Sequence, residues 1–479
     1  MIFSSIDFVI FFIIILASLK IIENREESSK KLLLLVASYY FYGYWDWRFL
    51  SLIFINTFIS YVIGRLIDSN GGNKKLQKTY LTISIVSSLG ILGAFKYYNF
   101  FIDSLNTAFS LEANPLSSMD IILPLGISFY TFQTLSYTID IYRGKIKPSG
   151  LLDFSLFVVF FPQLVAGPIV RAAEFLPQLN NKIKLTFSNF KLGIVYFIIG
   201  FTKKSLLADS LSIYVDSVFT KPEMFDSLTL VFATMAYSMQ IYFDFSGYSD
   251  MAIGIGLILG FNFPKNFNYP YKSRNITEFW RRWHLTLSRW LRDYLYISLG
   301  GNRKGNYRTH INIFTTMTLG GLWHGASMNF VIWGVLHGVA LSLHKIYLSM
   351  IGVDINDRPE QAFTDKKLTV LAHQFLSITL TYIFVCVTWI LFRANTFDDT
   401  YNIFHQILTN GSGIRWIHIS FYFIVPLFLI WQLVPHNERI RERVFTLENY
   451  RGFTALCVLV LLIVLFSPTG LSPFIYFQF

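Results

Sequence analysis

Long apolar runs separated by short basic segments set the pattern of this chain. A helix crosses the hydrocarbon in about 20 residues. Candidate spans lie at roughly 6–22, 32–45, 49–67, 79–101, 121–141, 151–166, 192–207, 228–245, 309–323, 326–348, 370–392, 416–434 and 453–469. Several are short, and segments 32–45, 151–166, 250–263 and 309–323 read as half-membrane or re-entrant pieces. Non-helical backbone persists at membrane depth only inside protein or along a wet cavity. The pattern therefore predicts an all-α integral membrane protein with an internal cavity. The first run, "FVIFFIIILASLKII" from Phe8 to Ile22, has no basic segment before it and no small-residue cleavage site after it, so it reads as a retained span.

Composition supports this reading. The chain is 53% hydrophobic and 14% charged, against about 25% charged in soluble domains. Cys386 and Cys457 both lie in apolar runs, which argues against a disulfide framework or a cysteine metal site. The net charge of +11 fits nucleic acid or membrane. In an apolar chain, Lys and Arg mark cytoplasmic loops and anionic headgroups, so nucleic acid is set aside. Residues 1–5 carry no Lys or Arg, whereas Lys20, Arg25, Lys30 and Lys31 fill the first loop. This puts the N-terminus outside. Loops 64–78 and 142–147 would be cytoplasmic, and 103–120, with three acids and no Lys or Arg, extracytoplasmic. With no internal repeat and no soluble module, residues 1–479 read as one transmembrane domain.

The richest segment, "YPYKSRNITEFWRRWHLTLSRWLRDYLYISLGGNRKG" (269–305), is too charged to span. As one helix from Ile276 to about Ser298, it places Ile276, Phe279, Trp280, Trp283, Leu287, Trp290, Leu291 and Tyr294 on one stripe. Glu278, Arg281, Arg282, Arg289, Arg292 and Asp293 fall opposite. That is the pattern of an interfacial helix on the cytoplasmic surface. Its arginines suit lipid phosphates or the phosphates of a carrier such as coenzyme A, through bidentate pairing. No P-loop or Rossmann fingerprint is present. His284, at the stripe's edge, reads either as a boundary ring or as part of a site.

A second histidine, His324, sits in "LGGLWHGASMNF" (319–330). It reads either as a packed ring bonded to a carbonyl or as a reactive one. Gly320, Gly321 and Gly325 would leave room for a substrate, and Trp323 and Asn329 supply hydrogen-bond donors. Asp244 and Asp250 lie in "QIYFDFSGYSDMAIGIG" (240–256), where Gly247 suggests a helix break and a structural role for both acids. "FFPQLVAGPIVR" (160–171) reads as a tight turn ending in Arg171. His337 and His344 would share a helical face but lack a third ligand, so no metal site is expected.

Four motifs carry a family resemblance: "FFPQLVAGPIVR", "YFDFSGYSDMAIGIG", "NFNYPYKSRNITEFWRRWHLTLSRWLRDYLYISLGGNRKG" and "LGGLWHGASMNFVIWGVLHG". In this order they resemble the membrane-bound O-acyltransferase (MBOAT) family, especially the membrane subunits of bacterial alginate and exopolysaccharide O-acetyltransferase systems. The likeness covers about 120–345, the motif-bearing core, and is weaker across flanking residues 1–119 and 346–479. It implies a multi-span helical ring around a central funnel, with re-entrant and interfacial amphipathic helices, in the bacterial cytoplasmic membrane.

The resemblance also implies catalytic roles for His324 and His284. It implies cytoplasmic acetyl-CoA as acyl donor, with no permanently bound cofactor. An extracytoplasmic partner of SGNH esterase type would place the acetyl group on a polysaccharide. Arg281, Arg282, Arg289, Trp323 and Asn329 are the candidate donor-binding residues. A buried imidazole stays neutral and accepts the proton of an attacking hydroxyl. Two alternatives remain: D-alanyl transfer to teichoic acid, and a transporter or flippase, whose inverted repeats are not evident in this chain.

Overall fold

The computed structural model describes residues 1–110, 116–165, 167–352, 367–433, 447, 449–468 and 474–475. Among these the regular structure is helical, apart from one isolated bridge between Phe225 and Ile414. Four helical runs are long and apolar enough to cross a bilayer: Trp47–Ser69, Lys74–Ala108, Met328–Met350 and Thr369–Arg393. Phe421–Leu433 and Tyr450–Phe466 are shorter apolar helices.

The polarity of surface and interior identifies the solvent. Ile10, Ile13, Phe54, Val86, Leu343, Leu376 and Leu461 all face outward. Inside, polar side chains pair across helices. Ser84 Oγ donates to Thr138 Oγ1 at 3.0 Å, Ser88 Oγ donates to Asn56 Oδ1 at 3.2 Å, and Asn56 Nδ2 donates to Thr134 Oγ1 at 3.4 Å. An apolar exterior around hydrogen-bonded polar contacts is the arrangement lipid favours. The chain is an all-α, multi-span membrane protein.

The 32-residue helix Ser227–Ile258 lies almost wholly inside. It runs unbroken through Gly247, so residues 250–263 are not a separate half-membrane piece and the predicted break is absent. Gly247 instead allows close approach to the neighbouring helix Phe187–Phe201: a Cβ there would lie 2.7 Å from the Gly200 carbonyl oxygen. Such small-residue contacts let helix backbones meet in lipid. The acids on this helix have structural partners. Lys203 pairs with Asp250 at 2.6 Å, and Lys204 pairs with Asp244 at 2.6 Å and Asp209 at 2.7 Å. Asp244 Oδ2 also accepts the Ile475 N–H at 3.0 Å, which ties buried Phe474 and Ile475 into the core.

Segment 151–165 does form short pieces, helices Leu151–Val159 and Phe161–Leu164, and every residue from Phe154 to Leu164 is buried. Segments 32–45 and 309–323 belong to longer helices, Glu27–Gly43 and Gly305–His324.

The predicted continuous helix from Ile276 to Ser298 is corrected. It is three pieces: Ile276–Trp280, Leu285–Trp290 and a π-helical turn, Leu291–Tyr296. The break falls at His284, whose φ is 42°. A neighbouring segment holds it open, because Asn268 N–H donates to the Arg282 carbonyl and Leu285 N–H to the Asn266 carbonyl, both at 2.9 Å. The apolar stripe faces protein rather than lipid: all eight of its residues, from Ile276 to Tyr294, are buried in the core.

Candidate functional site

Helices Gly305–His324 and Met328–Met350 form a hairpin, and His324 is the last helical residue before its tip. Gly321 and Gly325 are packing positions, which corrects their reading as substrate clearance, whereas a Cβ on Gly320 would meet only the Leu291 side chain, at 3.1 Å. A Cβ on Gly321 would lie 2.2 Å from the Phe330 carbonyl oxygen, and one on Gly325 would lie 2.1 Å from the Phe330 ring. They let the hairpin close.

The buried His324 ring meets Trp323 at 5.1 Å, Trp333 at 5.2 Å and Phe392 at 5.2 Å, all edge-on. The His284 ring centre is 6.5 Å away. Two residues forty positions apart in sequence are thus brought to one place, His284 by the break and His324 by the hairpin tip. His284 is fully buried and packs edge-on to Phe245 at 4.6 Å.

Asn266 orients His284. Its Oδ1 accepts from Thr286 N–H at 3.3 Å and Thr286 Oγ1–H at 2.9 Å, and lies 3.0 Å from His284 Nδ1. A backbone N–H can only donate, so this amide atom is the oxygen. His284 Nδ1 therefore carries the proton, and in the neutral ring Nε2 holds the lone pair. A left-handed φ at a non-glycine residue costs about 1–3 kcal/mol and persists only where surroundings impose it. The Asn266–Asn268 segment supplies that constraint.

Two cavities open near these elements. The larger, about 450 Å³, is lined by Arg281, Arg289, Arg292 and Lys345 around Leu285 and Met317. The smaller, about 70 Å³, is lined by Lys96, Gly126, Ser128, Trp323 and His324. Both touch the Gly305–His324 helix, and the step from Met317 to His324 is about 10 Å along its axis at 1.5 Å per residue. Leu285, which follows His284, lines the larger cavity. His324 itself lines the smaller cavity, and His284 lines neither.

The other candidates separate. Arg281 and Arg289 reach the larger cavity. Arg282 does not: it donates to Glu278 at 2.8 and 3.0 Å and to the Asn268 carbonyl at 3.2 Å. Burial alone would raise the Glu278 carboxyl, but bonds from the Arg274 backbone and the Arg282 side chain outweigh it and hold the group below its usual range. At Asp293 burial likewise acts upward and is outweighed by Arg292 and Arg171, which lower the carboxyl. Trp323 lies beside both histidines, stacked on Phe132 at 5.1 Å. Asn329 lines neither cavity. Its Nδ2 donates to the carbonyls of Ala394 at 3.3 Å and Thr396 at 3.2 Å, which ties the hairpin to the end of the Lys367–Arg393 helix. His337 and His344 are bonded apart, His337 to Trp280 and Thr388, and His344 to Thr277. Arg171 pairs with Asp293 at 2.7 Å. Sequence reasoning missed Asn266, Lys96 and Lys345, although Lys96, a basic residue inside the apolar span 79–101, carries a signal of its own.

Comparison with known proteins agrees with the motifs. The sequence profile of the membrane-bound O-acyltransferase family (MBOAT) matches residues 39–361. The chain is 38% identical over 470 residues to the probable alginate O-acetylase AlgI of Pseudomonas putida, covering 92% of each chain. It is 35% identical over 407 residues to the peptidoglycan O-acetyltransferase of Helicobacter pylori, covering 79% of this chain and 74% of that one. To the teichoic acid D-alanyltransferase of Bacillus subtilis it is 29% identical over 288 residues, covering 57% and 69% respectively.

Proposed function

Because this chain belongs to the membrane-bound O-acyltransferase family and is an O-acyltransferase, we propose that it takes an acetyl group from cytoplasmic acetyl-CoA. It passes the group through the membrane for O-acetylation of an extracytoplasmic polysaccharide. The observation that carries this reading is the buried His284–His324 pair, with His324 lining one cavity and Leu285, next to His284, lining a larger one rich in arginine.

In this reading the larger cavity takes the donor. Arg281, Arg289, Arg292 and Lys345 match the phosphates of coenzyme A, and Arg offers them bidentate bonds. Its basic lining suits the cytoplasmic side of a bacterial inner membrane, with the N-terminus outside. His324 accepts the proton of the attacking hydroxyl. His284, with Nδ1 held by Asn266, offers its Nε2 lone pair to the same place. Trp323 shapes the site. An extracytoplasmic esterase-fold partner completes delivery to the sugar. The better coverage and identity of the O-acetylating relatives favour acetyl over D-alanyl transfer.

The test is transfer from labelled acetyl-CoA by the full-length protein in sealed vesicles, beside mass spectrometry of cell-envelope glycans with and without the gene. Acetyl label leaving CoA, and loss of glycan acetyl groups in the deletion, are expected. Loss of D-alanine esters with acetylation intact would overturn the acetyl reading.

A further inference from the structure

Lys96 stands between Phe95 and Tyr97 inside the apolar run Lys74–Ala108, where a charge is unfavourable and marks function by default. Its Nζ donates to the carbonyls of Trp323 at 2.8 Å and His324 at 2.9 Å, and Tyr97 Oη donates to Leu322 O at 2.8 Å. These carbonyls end the Gly305–His324 helix and lack intrahelical donors. Both residues come from a π-helical turn, Gly93–Tyr97, a distortion frequent at functional sites.

Capping accounts for part of this. An ammonium has three donors, and the two carbonyls take two. A neutral amide would cap as well without placing a charge at membrane depth. Among the described residues no carboxylate pairs with Lys96. A lysine held at membrane depth by two carbonyls alone keeps a further donor for an incoming acceptor. Lys96 also lines the small cavity with Trp323 and His324, and the buried Trp323 Nε1–H has no acceptor among the described residues. The cavity lining thus holds the Lys96 amine, Trp323 and His324, with no acid.

We propose that this cavity is an oxyanion site, in which Lys96 stabilises the negative charge that develops on the acyl carbonyl oxygen during transfer. The proposal rests on the acyl-transfer reading above. An acceptor hydroxyl oxygen attacks the thioester carbon, its proton passes to His324, and the carbonyl π pair moves onto the oxygen beside Lys96. When that pair returns, the C–S bond breaks and the departing thiolate takes the proton from His324. Thioester and alcohol give ester and thiol, with no further reagent.

The test compares Lys96→Gln, which keeps an N–H cap without charge, with Lys96→Arg, which keeps the charge, in full-length protein in nanodiscs. With Gln, kcat for acetyl transfer falls about a hundredfold while the acetyl-CoA KM stays within about threefold. The unfolding midpoint is retained, and Arg recovers part of the rate. Acetate, followed by tryptophan fluorescence, is a second probe that needs no turnover: it saturates a site in the wild type and not in Lys96→Gln. Full turnover in Lys96→Gln, or acetate binding unchanged by it, overturns the proposal. Lys96-dependent acetate binding without transfer from acetyl-CoA would sink the donor assignment and leave the anion site standing.

Discussion

Asn266 Oδ1 and His284 Nδ1 lie 3.0 Å apart, and two donors from Thr286 on the same oxygen fix the direction of the bond. The Asn266 side chain thereby sets the tautomer of a buried ring, while its backbone carbonyl helps to hold the chain break that carries it. Asn266→Ala leaves three donors without an acceptor, each a loss of about 1–3 kcal/mol when buried. Acetyl transfer by Asn266→Ala falls at least about tenfold and the unfolding midpoint drops. Asn266→Asp, which keeps the acceptor oxygens, retains more activity than Asn266→Ala in the same assay. Equal rates for the two variants would remove Asn266 from the account.

The arginines divide by where they point. Charge-assisted bonds contribute about 1.5–3 kcal/mol, so the double change Arg281→Gln with Arg289→Gln raises the acetyl-CoA KM by about tenfold or more. Raising ionic strength narrows the difference. Arg282→Gln removes a partner from Glu278 instead, so it lowers thermal stability and leaves the KM near wild type. Titration of acetyl-CoA against initial rate separates the cases.

Glu278 gives a pH dependence with a definite sign. Its folded carboxyl is held below the usual range, so the native state binds protons less readily than the unfolded chain. The stability it contributes is present above the unfolded value of about 4.3 and is lost as pH falls through the lower, folded value. Unfolding midpoints of wild type and Glu278→Gln in nanodiscs should differ at neutral pH and converge below about pH 4. A gap independent of pH would mean that Glu278 acts by packing alone.

Gly321 tests the hairpin. A methyl there meets the Phe330 carbonyl oxygen at 2.2 Å, and overpacking of this kind costs about 1–3 kcal/mol. Gly321→Ala should lose thermal stability and folded yield together with activity. A stable protein impaired only in substrate affinity would restore the substrate-clearance reading of this glycine.

The membrane class was legible because run length and loop charge are properties of the sequence alone. Local pattern left His284 and His324 open between a packed ring and a reactive one, and only the family resemblance pointed to them; the positions, though not the partners, of Asp244 and Asp250 were legible. The break at His284 was hidden. The stripe from Ile276 to Tyr294 keeps a helical period across it, and the forces that open it come from Asn266 and Asn268, outside the segment. Gly247 misled because glycine marks breaks and close contacts alike. Lys96 stood out as a basic residue in an apolar run, but its partner, the His324 carbonyl, lies 228 positions away. Relationships made only by tertiary packing leave no trace in spacing.

In the proposed reaction everything turns on His324 taking the proton of the attacking hydroxyl. The most direct test is His324→Gln in full-length protein in sealed vesicles, with release of CoA from labelled acetyl-CoA followed alongside equilibrium binding of acetyl-CoA and the unfolding midpoint. The variant should fold, still bind acetyl-CoA and transfer acetyl at least about a hundredfold more slowly, the typical contribution of a positioned base. Wild-type transfer by folded His324→Gln would contradict that role of His324.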